Sequence, residues 1–396
     1  AVDGVACVVV DDTQDAFAAL AREVVRRSPD LQVIGITGSS GKTSTKDLLG
    51  TVLATAGPTV APVGSYNSEV GVPLTVCRVA ADTRYLVVEM GARGIGHVEY
   101  LTRMAPPRIG VVLNVGTAHV GEFGGRAAIA TAKSELVAAL PSDGLAVLNA
   151  DDPAVRAMSA VTTARVVLVG EADDADVRAG DVVLDDGGRA SFTVHTPSAT
   201  RAVGLGLVGR HHVGNALSVI AVATELGMPL DAVCSALEAA RPVSRWRMEV
   251  VERADGVTLV NDAYNANPDS MHAALTALAR MGQGRRTWAV LGTMLELGPE
   301  SETLHAQVGA DVVDHGVGEL LVVGEAAASL AVGARDALAA GRGTATAVRT
   351  VPDAGAAEAL LREELRPGDV VLFKSSRDAG LRLLGDRLAQ DEEELT

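Results

Sequence analysis

Short apolar, β-branched runs alternate with helix-period segments twice along this chain, and that alternation constrains its fold more than any single motif does. The first series runs through "QVIGITG", "RYLVVEMGA", "RIGVVLNVG", "GLAVLNADDP" and "ARVVLVG", with helical stretches such as "RAAIATAKSELVAAL" between them. Strands joined through helices pair in parallel, because each crossover returns the chain to the same edge. Residues 176–208 break the pattern: they are rich in Gly, Asp and Thr, and the short runs "DVVLDD" and "ASFTVHT" predict antiparallel hairpins. A helix over "HVGNALSVIAVATELG" closes this unit. After "RPVSRW" a second series restarts with "GVTLVNDAYNANP", "RTWAVLG", "ELLVVGE", "TATAVRTV" and "DVVLFKSS".

A chain of 396 residues, 48% of them apolar, is too long for one core, so two or more domains are expected. With only 3% aromatics, Ala, Val and Leu must fill the interior. The net charge of -16 argues against nucleic acid, whose phosphates need a basic surface, and an anionic substrate would need a local positive site. Cys7, Cys77 and Cys234 lie far apart and read as buried core thiols in a reducing compartment. No apolar stretch reaches the roughly 18 residues of a membrane span and no signal peptide precedes the first strand, so a cytosolic protein is expected. The acidic end "QDEEELT" reads as a solvated tail. Only four lysines, Lys42, Lys46, Lys133 and Lys374, stand against thirty arginines, so each lysine raises the question of what a primary amine does that guanidinium cannot.

The stretch "GITGSSGKTSTKD" (35–47) ends the first strand and opens a helix. Strict Walker spacing would need glycine at Ile36, so the general pattern fails. The physics of a phosphate cradle remains: Gly38 and Gly41 let the amides of Ser39, Ser40 and Ser44 converge on an anion, Lys42 reaches terminal phosphates, and Thr43 is placed to hold Mg²⁺.

The departure is informative, because a glycine followed two residues later by Ser40-Gly41-Lys42-Thr43 resembles the nucleotide loop of the Mur ligase family. Further runs follow in the family's order: "YNSEVGVPLT" (66–75), "EMGARGIGHVEYL" (89–101), "NVGTAHVGEFGG" (114–125), "AKSEL" (132–136), "NDAYNANPDSM" (261–271) and "GTMLELGPESETLH" (292–305). Together they are similar to the branch of that family that adds D-alanyl-D-alanine to UDP-N-acetylmuramoyl-tripeptide. The resemblance implies an ATP-dependent, ADP-forming amide ligase of peptidoglycan synthesis that works through an acyl phosphate. The implied fold is α/β: a central, mostly parallel P-loop-type sheet domain with an antiparallel subregion (31–240), then a Rossmann-like C-terminal domain (241–396). Residues 1–30 would be the remnant of an N-terminal UDP-binding domain and linker.

By that resemblance Glu89 holds Mg²⁺ with Thr43, and His119 contacts a second Mg²⁺. Lys133 matches a lysine that CO₂ carbamoylates into an anionic metal ligand, which only a primary amine permits. "GRHHVGNA" places Asn215 at the adenine, with His212 where the family has Asn. Arg247 matches an interdomain arginine that meets the phosphates, with Trp246 in place of a preceding glycine. Asp262 matches the ribose-binding acid. On the acceptor side Asn67 is a substrate contact, and Lys374 and Arg377 would receive the dipeptide carboxylate. Outside this context Glu89 reads as a strand-end surface acid, His119 as a surface hydrogen-bonding group, Lys133 as a solvated helix lysine, and Tyr264 equally as core. ATP, two Mg²⁺ and a monomeric state are the implied complement. The rival readings are a related ligase with a folate-like or natural-product acceptor, a fragment retaining only ATP binding, a phosphotransferase, and a nucleotide-binding scaffold.

Overall fold

The computed structural model describes residue 4 and residues 7–116, 120–343 and 346–390. Two sheets organise these residues. The first holds β1 (Gln32–Thr37), β2 (Thr59–Val60), β3 (Tyr85–Glu89), β4 (Ile109–Val112), β5 (Leu145–Asn149), β6 (Arg165–Gly170), β7 (Val177–Leu184), β8 (Arg189–His195) and β9 (Thr200–Val208). Their spatial order is β2-β3-β1-β4-β5-β6-β7-β8-β9. Every pair from β2 to β7 is parallel, whereas β7, β8 and β9 pair antiparallel with register shifts after Gly180 and Arg189. The expected mostly parallel sheet with an antiparallel subregion is therefore what forms.

The second sheet contains β10 (Glu249–Glu252), β11 (Thr258–Asn261), β12 (Thr287–Leu291), β13 (Glu319–Val323), β14 (Ala347–Val351) and β15 (Val370–Lys374), in the order β10-β11-β15-β12-β13-β14. Its edge strand β10 runs antiparallel to β11 and the rest are parallel. The short edge strands β2 and β10 are absent from the sequence reading: β2 has only two residues, and β10, with sequence EVVE, has only two apolar residues between acids.

Alternation along buried strands distributes the core to both faces of the first sheet. Ile34 and Ile36 pack with Val87, Val111 and Val147 toward the helix His212–Glu225, while Val33, Leu86, Val88 and Val112 meet Ile129, Ala132 and Leu136 of the helix Arg126–Ala138. The His212–Glu225 helix is buried around most of its circumference, as its near-continuous apolar run requires. The three cysteines do not share one environment. Cys234 is buried, but Cys7 and Cys77 are exposed; Cys77 caps the C-terminal end of the helix Gly71–Val76, where residue type alone does not say which way the side chain turns.

Strand order decides where a ligand can bind. β1 lies between β3 and β4, so the chain departs from β1 to one side and returns on the other, opening a crevice at the carboxyl ends. Ile36 is in register with Glu89 and Thr37 with Val112, which brings the loop after β1, the end of β3 and the loop after β4 to one rim. In the second sheet β15 is inserted between β11 and β12, so Lys374 at its end lies beside Asp262, whose amide donates to the Phe373 carbonyl at 2.9 Å.

The helices Ser301–Asp314 and Ala328–Ala339 approach through glycines: a Cβ at Gly309 would lie 1.9 Å from the Leu330 carbonyl oxygen, and one at Gly333 1.8 Å from that of Ala306. Both obstacles are backbone, which no rotamer change relieves. Gly309→Ala is expected to destabilise the protein by about 3 kcal/mol from overpacking, exceeding the roughly 1 kcal/mol that alanine gains in helix propensity. Urea unfolding checks this, and an unchanged midpoint contradicts it.

Candidate functional site

The loop after β1 owes its shape to one asparagine. Ser39 N donates to the Asn114 carbonyl (3.1 Å), Ser40 N donates to Asn114 Oδ1 (2.9 Å), and Asn114 Nδ2 donates to the Ser40 carbonyl (3.2 Å). Ser39 Oγ accepts from Gly116 N at 2.9 Å. Gly41 then turns the chain into the helix Lys42–Ala54 with φ 80°, a left-handed conformation that glycine adopts without strain. No side chain caps this helix, so its first amides and the positive end of its dipole face the crevice. Lys42 Nζ folds over the loop and donates to the Gly38 carbonyl at 2.6 Å.

Beside the loop sits Glu89, fully buried. Such a charge needs donors, and it has them: Thr43 Oγ1 (3.0 Å), Ser65 Oγ (2.8 Å) and Asn67 Nδ2 (2.8 Å). Lys133, from the helix Arg126–Ala138, is 4% exposed, and no hydrogen-bond partner of its amine stands among the described residues. Burial, reinforced by the like charge of Lys42, pushes its pKa well below the usual lysine range. Burial also lowers Lys42, with Glu89 opposing the shift and Arg247 adding to it. His119 lies outside the described residues.

The second sheet supplies the facing wall. Arg247 Nη2 donates to Thr43 Oγ1 at 3.3 Å across the divide, and its guanidinium stacks 4.4 Å over the Tyr264 ring, which Arg377 also approaches at 5.8 Å. Lys374 Nζ donates to Asp262 Oδ2 at 2.5 Å and to the Asn265 carbonyl at 3.1 Å, while Asp262 Oδ1 accepts from Met248 N at 3.1 Å. The sequence reading gives Asp262 and Lys374 separate ligands; here they are one ion pair. Burial lowers the Lys374 pKa despite the Asp262 charge. Asn215 approaches the loop at Gly41, where a Cβ would lie 2.8 Å from its Oδ1, and its Nδ2 lies 3.3 Å from His212 Nδ1. Burial keeps the His212 pKa well below the ordinary histidine range, so the neutral ring can accept from the Asn215 amide.

These groups line one cleft of about 750 Å³ between the sheets. Ser39, Ser40, Gly41, Lys42, Thr43, Ser44, Asn67, Glu89, Lys133, Asn215, Arg247, Asp262, Lys374 and Arg377 all reach it, whereas Gly38, within the loop, does not line it and has its carbonyl taken by Lys42. Asn67 donates to Glu89 here, beside the phosphate loop. Sequence reasoning missed Ser65 and Asn114. Asn114 opens the run "NVGTAH" and Ser65 directly precedes "YNSEV", so the signal was adjacency to a motif, with no chemistry of its own.

The family model described as Mur ligase middle domain matches residues 36–223, and that described as Mur ligase, glutamate ligase domain matches residues 246–377. The UDP-N-acetylmuramoyl-tripeptide–D-alanyl-D-alanine ligase of Mycobacterium tuberculosis is 50% identical over 403 residues, covering 98% of this chain and 79% of that protein. The Escherichia coli protein of the same name is 36% identical over 319 residues, covering 80% and 70%. Among solved structures, MurF from Acinetobacter baumannii matches with TM-score 0.87 and 31% identity over 98% of this chain and 83% of that one. MurF from Thermotoga maritima in complex with ADP matches with TM-score 0.85 and 27% identity over 100% and 88%.

Lys133 makes stability depend on pH. A lysine whose folded-state pKa lies below its unfolded value binds fewer protons when folded, so the folded state carries a cost that is full at low pH and vanishes above the ordinary lysine range. Lys133→Met is expected to melt above the parent at about pH 7, with the difference shrinking toward about pH 10. Paired melting curves in CO₂-free buffer check this, and a difference that widens with pH contradicts it.

Proposed function

The chain belongs to the Mur ligase family, and from that premise we propose that it is the ATP-dependent ligase that joins D-alanyl-D-alanine to UDP-N-acetylmuramoyl-tripeptide in peptidoglycan precursor synthesis. The observation that carries this reading is the cleft itself, where a phosphate loop, a buried acid and a buried amine on one wall face an arginine and an acid–lysine pair on the other. A carboxylate at neutral pH has no leaving group. Transfer of the ATP γ-phosphoryl to the tripeptide's terminal carboxylate supplies one, releasing ADP. The dipeptide amine then displaces phosphate from the acyl phosphate and forms the amide. Such chemistry needs concentrated cations, positioning and exclusion of water, with no protein nucleophile.

The loop amides of Gly38 to Ser44 and the Lys42 ammonium are suited to the nucleotide phosphates, and Arg247 reaches the same region from the second sheet. We assign Asn215 to the adenine, Asp262, held by its ion pair with Lys374, to the ribose, and Asn67 and Arg377 to the substrates. The buried Glu89 carboxylate with the Thr43 hydroxyl is a hard-oxygen donor set that fits Mg²⁺. A second Mg²⁺ would be held by carbamoylated Lys133 and His119; bound there, the two ions would neutralise charge developing on the phosphoryl oxygens. Lys133 fits that role: its lowered pKa favours the neutral amine that CO₂ requires, and carbamoylation would replace repulsion from Lys42 with attraction. The proposed domain division at residues 240–241 falls between the helix Leu230–Ala239 and β10. One chain's two halves complete the cleft, which supports a monomer, and ATP as co-substrate supports the cytosolic expectation. No helix among the described residues is long and apolar enough to cross a membrane.

Incubation with ATP, UDP-N-acetylmuramoyl-tripeptide and D-alanyl-D-alanine should yield the pentapeptide by mass, with stoichiometric ADP and inorganic phosphate. Glu89→Gln is expected to lower kcat by about 100-fold or more. A phosphorylated product would instead indicate a phosphotransferase, and phosphate release only with other acceptors would redirect the substrate assignment.

A further inference from the structure

Of the four lysines, Lys42, Lys133 and Lys374 line the cleft, and Lys46 does not. It lies one turn further along the phosphate-loop helix and is 1% exposed. Its ammonium donates to the Asp47 carboxylate, to the Pro62 carbonyl (3.0 Å) and to Ser244 Oγ (3.3 Å). Asp47 Oδ2 in turn accepts from Ser244 N at 3.2 Å. Burying an ion pair costs desolvation that its attraction roughly offsets, so stability alone does not account for it. What the pair does is tie three segments together: the loop helix, the stretch leading to Ser65 and Asn67, and the connection between the sheets. An ammonium offers three donors around one nitrogen, whereas guanidinium is a broad planar fork. In a chain with thirty arginines, three acceptors converging on a point explain why this cation is lysine.

Ser244 stands three residues before Arg247. Trp246 and Met248, on either side of that arginine, have φ of 60° and 50°, left-handed conformations that residues with side chains adopt only when their surroundings hold them there. The second half fastens this turn: Trp246 Nε1 donates to Asp386 at 3.0 Å, Trp246 N to Glu249 Oε2 at 2.9 Å, and Met248 N to Asp262. On the side of the first sheet, the anchor is Ser244 in the grip of Lys46 and Asp47.

We propose that Lys46, with Asp47, is a positioning residue: it anchors Ser244 so that the strained turn at 246–248 delivers Arg247 to the phosphate loop. Its kinetic consequence rests on the ligase reading; its structural consequence does not. Amide hydrogen exchange on the full chain reads the latter. In Lys46→Met and in Asp47→Ala, the Ser244 amide should exchange about 10-fold faster or more, since a charge-assisted bond is lost or loosened, while β1 amides keep the parent rates. Unchanged protection at Ser244 overturns the proposal whether or not the protein ligates. In the ligation assay, Lys46→Met should lower kcat about 10-fold or more through misplacement of Arg247, with the ATP KM within about 3-fold. In an Arg247→Ala background the same substitution should add almost nothing, and full additivity of the two effects overturns the proposal. Ser244→Ala, which leaves the buried pair intact, should give a milder loss of kcat with the same unaltered KM, so a poorly folding Lys46 variant does not obscure the result. A parent that forms no pentapeptide sinks the ligase reading and leaves the exchange result to decide.

Discussion

A carboxylate with no contact with solvent stands at the end of β3, and the architecture of the first half follows from keeping it satisfied. Glu89 takes hydrogen bonds from Thr43, Ser65 and Asn67, which come from a helix start and a loop far apart in sequence. They meet because β1 and β3 are neighbours in parallel register, so the β1 loop and the β3 end rise to the same height. Shifting that register by one residue would send the acid into the opposite face. The parallel register of β1 with β4 likewise sets the phosphate loop against Asn114, just past the end of β4.

The two halves meet at charged groups rather than across a continuous apolar interface. Most of each sheet's core stays within its own unit, with Val208 at the end of β9 packing into the core of the second sheet. The crossing contacts include Arg247 to Thr43, the anchoring of Ser244 by Lys46 and Asp47, and Arg280 to the Leu184 and Asp185 carbonyls. An interface of this kind is compatible with hinge motion, because few buried apolar contacts must be broken. Strained backbone at Trp246 and Met248 concentrates where the halves join.

Most of the architecture was legible because it is written in periodicity. Each quoted apolar run forms a strand, and the antiparallel subregion lies where alternation replaced continuous apolar runs. The site was legible through ordered motifs: Lys42, Glu89, Lys133, Arg247 and Asp262 come from five stretches of chain and line one cleft. What was not legible depends on three-dimensional partnership. Nothing in the row of letters says that Lys374 pairs with Asp262, that Asn67 spends its amide on Glu89, or that Lys46 grips Ser244. Cys77 shows the same limit, since its exposure follows from the orientation of a helix end.

Tyr264 has a consequence for the electrostatics of the far wall. Its ring lies under Arg247 at 4.4 Å and near Arg377 at 5.8 Å, and Trp246 is stacked beside it at 6.3 Å. An aromatic quadrupole shared by two guanidinium groups offsets part of their mutual repulsion. It thus lets a strongly acidic protein maintain a compact island of doubled positive potential, a lure for polyanions that the molecule's overall field would otherwise turn away.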